Sequence, residues 1–468
     1  MRAPAANYAL DAGARSVSGS LARIGVAMRR HRGLIIAIQW VVVLCYAVLL
    51  VVPAVRPLPP EQAGILESLT RFAQFAFWGI WWPFVMVSMV ALGRVWCGVF
   101  CPEGALTEWV SRRGLGRGIP RWMRWGGWPF VAFLGTTVYG QLVSVYEYPK
   151  AAALVLGGST LAAVAVGFVY GRGKRVWCRH LCPANGVFAL LAKLAPVHYR
   201  VDQRAWENAP PGARTSRGHA VDCAPLIDIR RMQSASPCHM CGRCAGERQA
   251  VDLAARSPSA EILALTDERA SRWEVALLVV GVLGIAVGAF QWSASPWFVA
   301  AKQAVATWLV DEGWLWPLGE NAPWWLLTHY PEKNDVFTWL DGALIVAYIG
   351  ATGALVTAWV GAWLAAGAAA ARLSAWRLAY ALVPFAGVTV FLGLSALTVT
   401  LIRAEGLPVH WVGWARAALL ALGVAWSAWL AWGIARERTA WRRLAAVAAV
   451  VAAMALVVWL WLEMFYLW

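Results

Sequence analysis

Charge is scarce in this chain. Asp, Glu, Lys and Arg make up 14% of its 468 residues, against about 25% in soluble domains, which excludes a soluble globular fold as the overall class. Acidic side chains are the scarcer kind, 25 against 41 Lys and Arg, and there are only 7 histidines. No cysteine follows Cys244, so the C-terminal half has no thiol for redox or metal chemistry. Apolar residues fill the space, at 60% of the chain and a mean hydropathy of +0.56. A hydrocarbon core about 30 Å thick asks for roughly 20 such residues per helix. Nine stretches answer to that, over residues 34–53, 74–92, 128–145, 151–170, 275–292, 337–364, 378–402, 411–434 and 444–462. The expected fold is an all-α polytopic membrane protein of about nine transmembrane helices, with a small loop-rich cytoplasmic domain between helices 4 and 5.

Lys and Arg concentrate in cytoplasmic loops of membrane proteins. With the N-terminus inside, 34 of the 41 basic residues fall on the inner side, and nine spans leave the C-terminus outside. The expected location is the bacterial inner membrane. The net charge of +16 is then a topology signal and an attraction to anionic lipid, with nothing left over for nucleic acid. The basic run Arg29, Arg30, His31, Arg32 precedes an apolar stretch that lacks a small-x-small cleavage site, so it reads as an uncleaved anchor. Many tryptophans stand near span ends, among them Trp78, Trp122, Trp125, Trp411, Trp414 and Trp461, as an interfacial belt would place them.

The chain divides into a cytoplasmic tail (1–33), a four-span unit (34–172), a polar Cys-bearing cytoplasmic segment (173–272) and a five-span domain (273–468) with an extracytoplasmic loop at about 293–336. The interior of the polar segment, with Pro210, Pro211, Gly212, Ser216 and Gly218, has the loop-rich composition of a small cofactor-stapled domain.

An internal repeat marks the first two blocks. Arg94-Val95-Trp96-Cys97-Gly98-Val99-Phe100-Cys101-Pro102 matches Arg175-Val176-Trp177-Cys178-Arg179-His180-Leu181-Cys182-Pro183 at an offset of 81 residues, with six of nine positions identical. Each copy follows an outside-to-inside span, so both C-x3-C-P pairs reach the same surface. Cysteines at i and i+4 share one face of a helix, and the following proline tends to end it. Cys97, Cys101, Cys178 and Cys182 could thus converge as one four-thiolate site, or remain two separate thiol pairs.

Eight of the nine cysteines lie on or beside inner segments, where a reducing compartment favours metal or redox chemistry over disulfides; Cys45, inside a span, reads as a small buried apolar residue. Cys238-x2-Cys241-x2-Cys244 has the short spacing that wraps thiolates around one soft centre. The usual fourth ligand is replaced by Arg248, and the nearest substitute is Cys223. Four thiolates suit one [4Fe-4S] cluster; a zinc ion, with His239 as an alternative ligand, is the rival. Arg230, Arg231 and Arg243 could offset a cluster's negative charge.

Paired C-x3-C-P motifs after transmembrane helices, followed by a cytoplasmic cluster segment, resemble the NapH/NosR/CcoG group of membrane polyferredoxins over about residues 70 to 250. The resemblance implies electron transfer through [4Fe-4S] clusters between a cytoplasmic or quinol pool and an extracytoplasmic partner. The chain departs from that pattern in carrying a single C-x2-C-x2-C run without a trailing Cys-Pro. One cluster at Cys223, Cys238, Cys241 and Cys244 is therefore expected, with a second metal or redox site possible at the four repeated cysteines. The five-span extension is similar to the polyferredoxin component of Ftr-type iron uptake systems, which implies a cupredoxin-like partner and an iron permease.

In the cysteine-free half, Asp311, Glu312, Glu320, His329, Glu332 and Asp335 with Asp341, His410, Arg416 and Glu463 offer a metal or proton site, or a docking face, since ionisable groups in spans are costly. The plainer reading is local pairing. Competing whole-protein readings are a metal-ion transporter with a regulatory domain built on a four-cysteine zinc site, and a membrane anchor for redox subunits.

Overall fold

The computed structural model describes residues 12–60, 62–208, 222–232 and 234–468, with side chains from residue 19. The loop expected around Pro210, Pro211, Gly212, Ser216 and Gly218 lies outside the described residues, as does the start of the tail. Among the described residues, eight helices are long and apolar enough to cross a membrane: Arg32–Val55, Leu69–Leu92, Pro149–Tyr170, Arg272–Ala294, Trp339–Ala371, Ala375–Ala404, Val412–Ile434 and Ala440–Leu467. The protein is an all-α multi-pass membrane protein.

The expected third span is shorter than the sequence suggests. Trp128–Leu142 has 15 residues, about 22 Å at 1.5 Å per residue. It stops early because the chain turns at Ser144 in the left-handed region (φ 49°) and Val145 N–H closes onto the Gly140 carbonyl at 2.9 Å. The helix nevertheless changes ends. Phe130 packs on Trp273 at its start, and Gln141 accepts from Trp292 at its finish, 2.8 Å away, so it runs alongside the whole Arg272–Ala294 helix.

That helix is the centre of the bundle, 72% buried over its span window. Glycine lets its neighbour approach: a Cβ on Gly284 would come within 3.0 Å of the Gly353 backbone, the small-residue packing that substitutes for hydrophobic drive in lipid. Lipid-facing surfaces are correspondingly apolar, as at Leu44, Phe84 and Leu161. Cys45 joins that exterior; the expectation of a buried Cys45 fails because its helix presents this face outward. The tryptophans divide likewise. Trp411 and Trp414 are exposed at a span edge, while Trp78 and Trp461 are core, since aromatic bulk also fills gaps between helices.

At one end of the bundle sits the polar segment. Two short strands, β1 (Val197–Val201) and β2 (Val251–Ala255), pair antiparallel with Tyr199 opposite Leu253. They clip together the two ends of the stretch that carries Cys223 to Cys244. The expected tail is in part a helix, Ala12–Arg30, whose Leu21, Gly25 and Met28 recur at helical spacing. Gly25 packs against Leu253 and Tyr199, and Met28 against Gly242, while Arg29 donates to the Ala245 carbonyl at 2.8 Å.

At the opposite end, the expected loop contains the helix Pro296–Asp311. Several ionisable residues at this end pair locally. Asp341 caps its own helix through Thr338 and binds Lys302 at 2.6 Å; Arg416 lies over the Phe465 ring at 3.9 Å; Glu463 accepts from Trp297; and Asp335 accepts from Tyr148 at 2.6 Å. Asp311, Glu312, Glu320, Glu332 and His410 are exposed. Among the described residues no group of three His, Cys, Asp or Glu forms a site for a metal ion, so this half offers no metal site there.

Candidate metal centre

The two repeated motifs fold alike at the turn that matters. Cys101 N–H bonds the Trp96 carbonyl at 2.9 Å, and Cys182 N–H bonds the Trp177 carbonyl at 3.1 Å. This i to i+5 closure is wider than an α-turn, a departure from the regular helix expected for Cys97 and Cys101, where Trp96–Phe100 is π-helical. Pro102 opens the next helix, Pro102–Ser111, instead of merely ending one, and the Cys101 thiol serves as its cap, accepting from Gly104 N–H at 3.4 Å. Proline at the first helical position gives up a donor that would be unpaired anyway.

The four repeated thiols lie within electrostatic range of one another. Cys101 is within electrostatic range of Cys178 and Cys97, and Cys182 is within range of Cys178, Cys101 and Cys97. Burial pushes the Cys178 thiol up to about 12, with Arg175 pulling the other way. Burial also raises Cys101 and Cys182, and their neighbouring thiols add to it. Four thiolates cannot coexist in such a place without a cationic core among them.

Cys223, Cys238, Cys241 and Cys244 form a second set. Cys238 interacts with Cys241 and Cys223, and Cys244 with all three. Burial drives Cys238 up to about 12 and Cys223 to about 11. The loop wraps through left-handed backbone at Met240, Gly242 and Gly246, and Met240 N–H points at the Cys238 sulfur, 3.4 Å away. The second repeat anchors this set: Arg175 N–H bonds the Ala224 carbonyl at 2.8 Å, and Lys174 bonds the Cys223 carbonyl at 3.1 Å.

The two sets touch. Gly98, between Cys97 and Val99, lies against the His239 carbonyl and Cys241 N, where a Cβ would overlap them. Two arginines fill the junction, and the repeat relates them. Arg94 reaches the Ser236 carbonyl and Asn185, each at 2.7 Å, and the Cys97 sulfur at 3.8 Å. Arg175, fully buried, bonds Glu108 at 2.9 Å and the Cys97 carbonyl. It is in electrostatic contact with Cys178, Cys241 and Cys101, members of both sets. Each arginine keeps one buried nitrogen without a partner, Nε of Arg94 and Nη2 of Arg175. Such orphans cost about 1–3 kcal/mol, and an electron-rich group held between the thiols would satisfy them.

Glu108 completes the junction. Burial opposes its ionisation, but Arg175 and Arg243 override that and hold its carboxyl at about 2. Of the arginines expected near the cluster, Arg243 is therefore engaged with Glu108, whereas Arg230 and Arg231 are exposed and pair with Glu207 and Asp228. Sequence reading passed over Glu108, which has no counterpart in the second repeat, and gave Arg94 and Arg175 no role. Their place three residues before each C-x3-C-P pair was the available signal.

A single zinc ion with bonds of about 2.3 Å needs tightly converging sulfurs. Among the described residues no group of three or more His, Cys, Asp or Glu lies close enough to hold a metal ion, the two cysteine sets included. His239 is buried, its Nδ1 has no partner, and burial with the nearby Arg94 and Arg175 keeps it neutral.

A 4Fe-4S binding domain family matches the chain twice, over residues 74–122 and 154–201. Each copy contains one C-x3-C-P pair. Protein RdxA of Cereibacter sphaeroides is 27% identical over 265 residues, covering 44% of this chain and 54% of the relative. Ferredoxin-type protein NapH of Haemophilus influenzae is 29% identical over 181 residues, covering 34% of this chain and 61% of the relative. The chain spans between half and two thirds of the length of these curated relatives. No solved structure matches significantly. The chain is thus similar to NapH-like 4Fe-4S proteins, and each of its two C-x3-C-P pairs lies within a 4Fe-4S domain match.

Proposed function

We propose that both four-thiol sets hold a [4Fe-4S] cluster, one on Cys97, Cys101, Cys178 and Cys182 and one on Cys223, Cys238, Cys241 and Cys244. The observation that carries this reading is that two sets of four cysteines, each within electrostatic range of its own members, meet at Gly98 with Arg94 and Arg175 beside them. Each cluster, when bound, takes up and returns one electron. The chain's own groups do the rest. Gly104 and Met240 N–H groups and the Arg94 guanidinium donate to thiolate sulfurs, which lowers the cost of charge on them. Arg175, neutralised in part by Glu108, stabilises the reduced state of either site. Trp96, Trp177 and the neighbouring spans keep water from the repeated pairs.

The cysteine end is the cytoplasmic face in this reading, which the placement of Lys and Arg supports. Electrons enter there, from a cytoplasmic donor or membrane quinol, and leave to an extracytoplasmic redox protein. The similarity of the five-span half to Ftr-type components supports a cupredoxin-like acceptor and an iron permease as the assembly, with iron uptake as its purpose.

Iron and acid-labile sulfide analysis of anaerobically purified protein tests the core of this. About eight of each per chain are expected from two four-iron clusters. Stoichiometric zinc without sulfide would overturn it.

A further inference from the structure

Beside the second cysteine set lies a cavity of about 1660 Å3, larger than the ~300–1,000 Å3 of ordinary ligand pockets. One wall belongs to the extramembrane segment, with His198, Arg200 and Arg231; the other is made by span ends, with Arg269, Arg377 and Arg436. The lining holds nine Lys or Arg against four Asp or Glu. Glu261 and Glu274 are already engaged by Lys193, at 3.5 and 3.3 Å, and Glu261 also by Arg256. No carboxylate pairs with Arg179, Arg200, Arg269 or Arg377 among the described residues. Arg377 presents a buried Nε without a partner, and His198 a buried Nδ1. Like charges gathered around a recess repel one another and call for an anion.

The position says what kind of anion. Ser236 and Pro237, which immediately precede Cys238, and Arg179, which immediately follows Cys178, stand in the lining. The cavity wall therefore comes within one residue of a cysteine of each set. Phosphate is the anion that several arginines recognise best, through their planar forks. Trp273, Leu277 and Leu263 add apolar surface to the lining, against which a ring could rest. Four-iron clusters accept electrons singly, whereas a nicotinamide releases a hydride pair. A flavin can release its two electrons one at a time.

We propose that this cavity is the docking site of a phosphate-bearing flavin nucleotide that delivers electrons to the protein. This rests on the reading that the two thiol sets hold clusters. In the step, reduced flavin becomes oxidised flavin by giving up two electrons and two protons. Each electron lowers one cluster by one unit, and the protons leave to solvent. An anionic phospholipid headgroup shares the phosphate chemistry, but it would be held by span ends alone. Arg200 and Arg231 extend the basic lining onto the extramembrane wall, where a soluble nucleotide reaches.

The full-length protein with its clusters, in nanodiscs of phosphatidylcholine, is titrated with FMN and with riboflavin, and binding is read from quenching of flavin fluorescence. FMN is expected to bind at least about tenfold more tightly than riboflavin. Arg269→Gln with Arg377→Gln, and separately Arg200→Gln, should weaken it about tenfold or more while iron and sulfide content stays that of the parent. Equal affinity for FMN and riboflavin, or full FMN affinity in both variants, overturns the proposal. Competitive loss of FMN binding in nanodiscs containing phosphatidylglycerol also overturns it, assigning the cavity to lipid. Protein lacking iron and sulfide would instead overturn the cluster reading.

Discussion

Gly98 lies directly against the carbonyl of His239, so the first C-x3-C-P turn and the Cys238 to Cys244 loop meet backbone to backbone. The equivalent position in the second repeat is Arg179, a side chain that could not fit there.

Gly98→Ala should therefore push the two sets apart. Overpacking costs about 1–3 kcal/mol, and here the strain falls on the Cys238 to Cys244 loop. Iron per chain should drop from about eight toward about four, while Gly118→Ala, which meets nothing within 4 Å, keeps the parent value. Iron analysis of both variants checks this.

Cysteine substitutions should sort into two groups. Cys97→Ser or Cys178→Ser should remove one cluster signal, Cys238→Ser or Cys244→Ser the other, and Cys45→Ser neither, because Cys45 faces lipid. Electron paramagnetic resonance of the reduced variants distinguishes them. Metal uptake by vesicles that survives all of these losses would favour the transporter reading.

Arg175→Met strands Glu108 as a buried carboxylate with one fewer partner. Breaking a buried pair from one side costs roughly 3–5 kcal/mol, and Arg175→Met with Glu108→Gln should recover part of it in thermal unfolding. The potentials move independently of that recovery. Loss of a positive charge from between the thiols makes both clusters harder to reduce, so both midpoints fall in a redox titration.

Much of this junction was legible in the sequence, and some was not. The cysteines announced themselves by spacing, and the repeated Arg-Val-Trp-Cys placed Cys97, Cys101, Cys178 and Cys182 at one surface, as one site or as two thiol pairs. The short helix Trp128–Leu142 was read too long because Val143 and Val145 continue its apolar character past the turn at Ser144. Glu108 was invisible, since its partners Arg175 and Arg243 are 67 and 135 residues away. The tail's helix was overlooked because Gly25 interrupts its apolar face, and that glycine is the point of contact with Tyr199 and Leu253.

Acid should weaken the packing of the polar segment through Glu261. Burial disfavours its charge, but Lys193 and Arg256 hold its carboxyl at about 2, below the usual range near 4.3. A carboxylate depressed in this way stabilises the fold above its unfolded value, on the order of 3 kcal/mol. That contribution is lost as pH falls from about 4.5 to about 2. Thermal stability of the parent relative to Glu261→Gln, followed against pH, should show the difference shrink over that window.

Topology is open to labelling. In intact cells stripped of their outer wall, a membrane-impermeant thiol reagent should reach Glu312→Cys, whereas Arg113→Cys should react only after lysis.

The most direct measurement is a spin count by electron paramagnetic resonance on the fully reduced, anaerobically purified protein. Two clusters held by cysteine sets that meet at Gly98 should give about two spins per chain, with lines broadened by their mutual interaction and sharpened to one spin by Cys178→Ser. One unbroadened spin per chain, unchanged by Cys178→Ser, would contradict the presence of a cluster on the repeated cysteines.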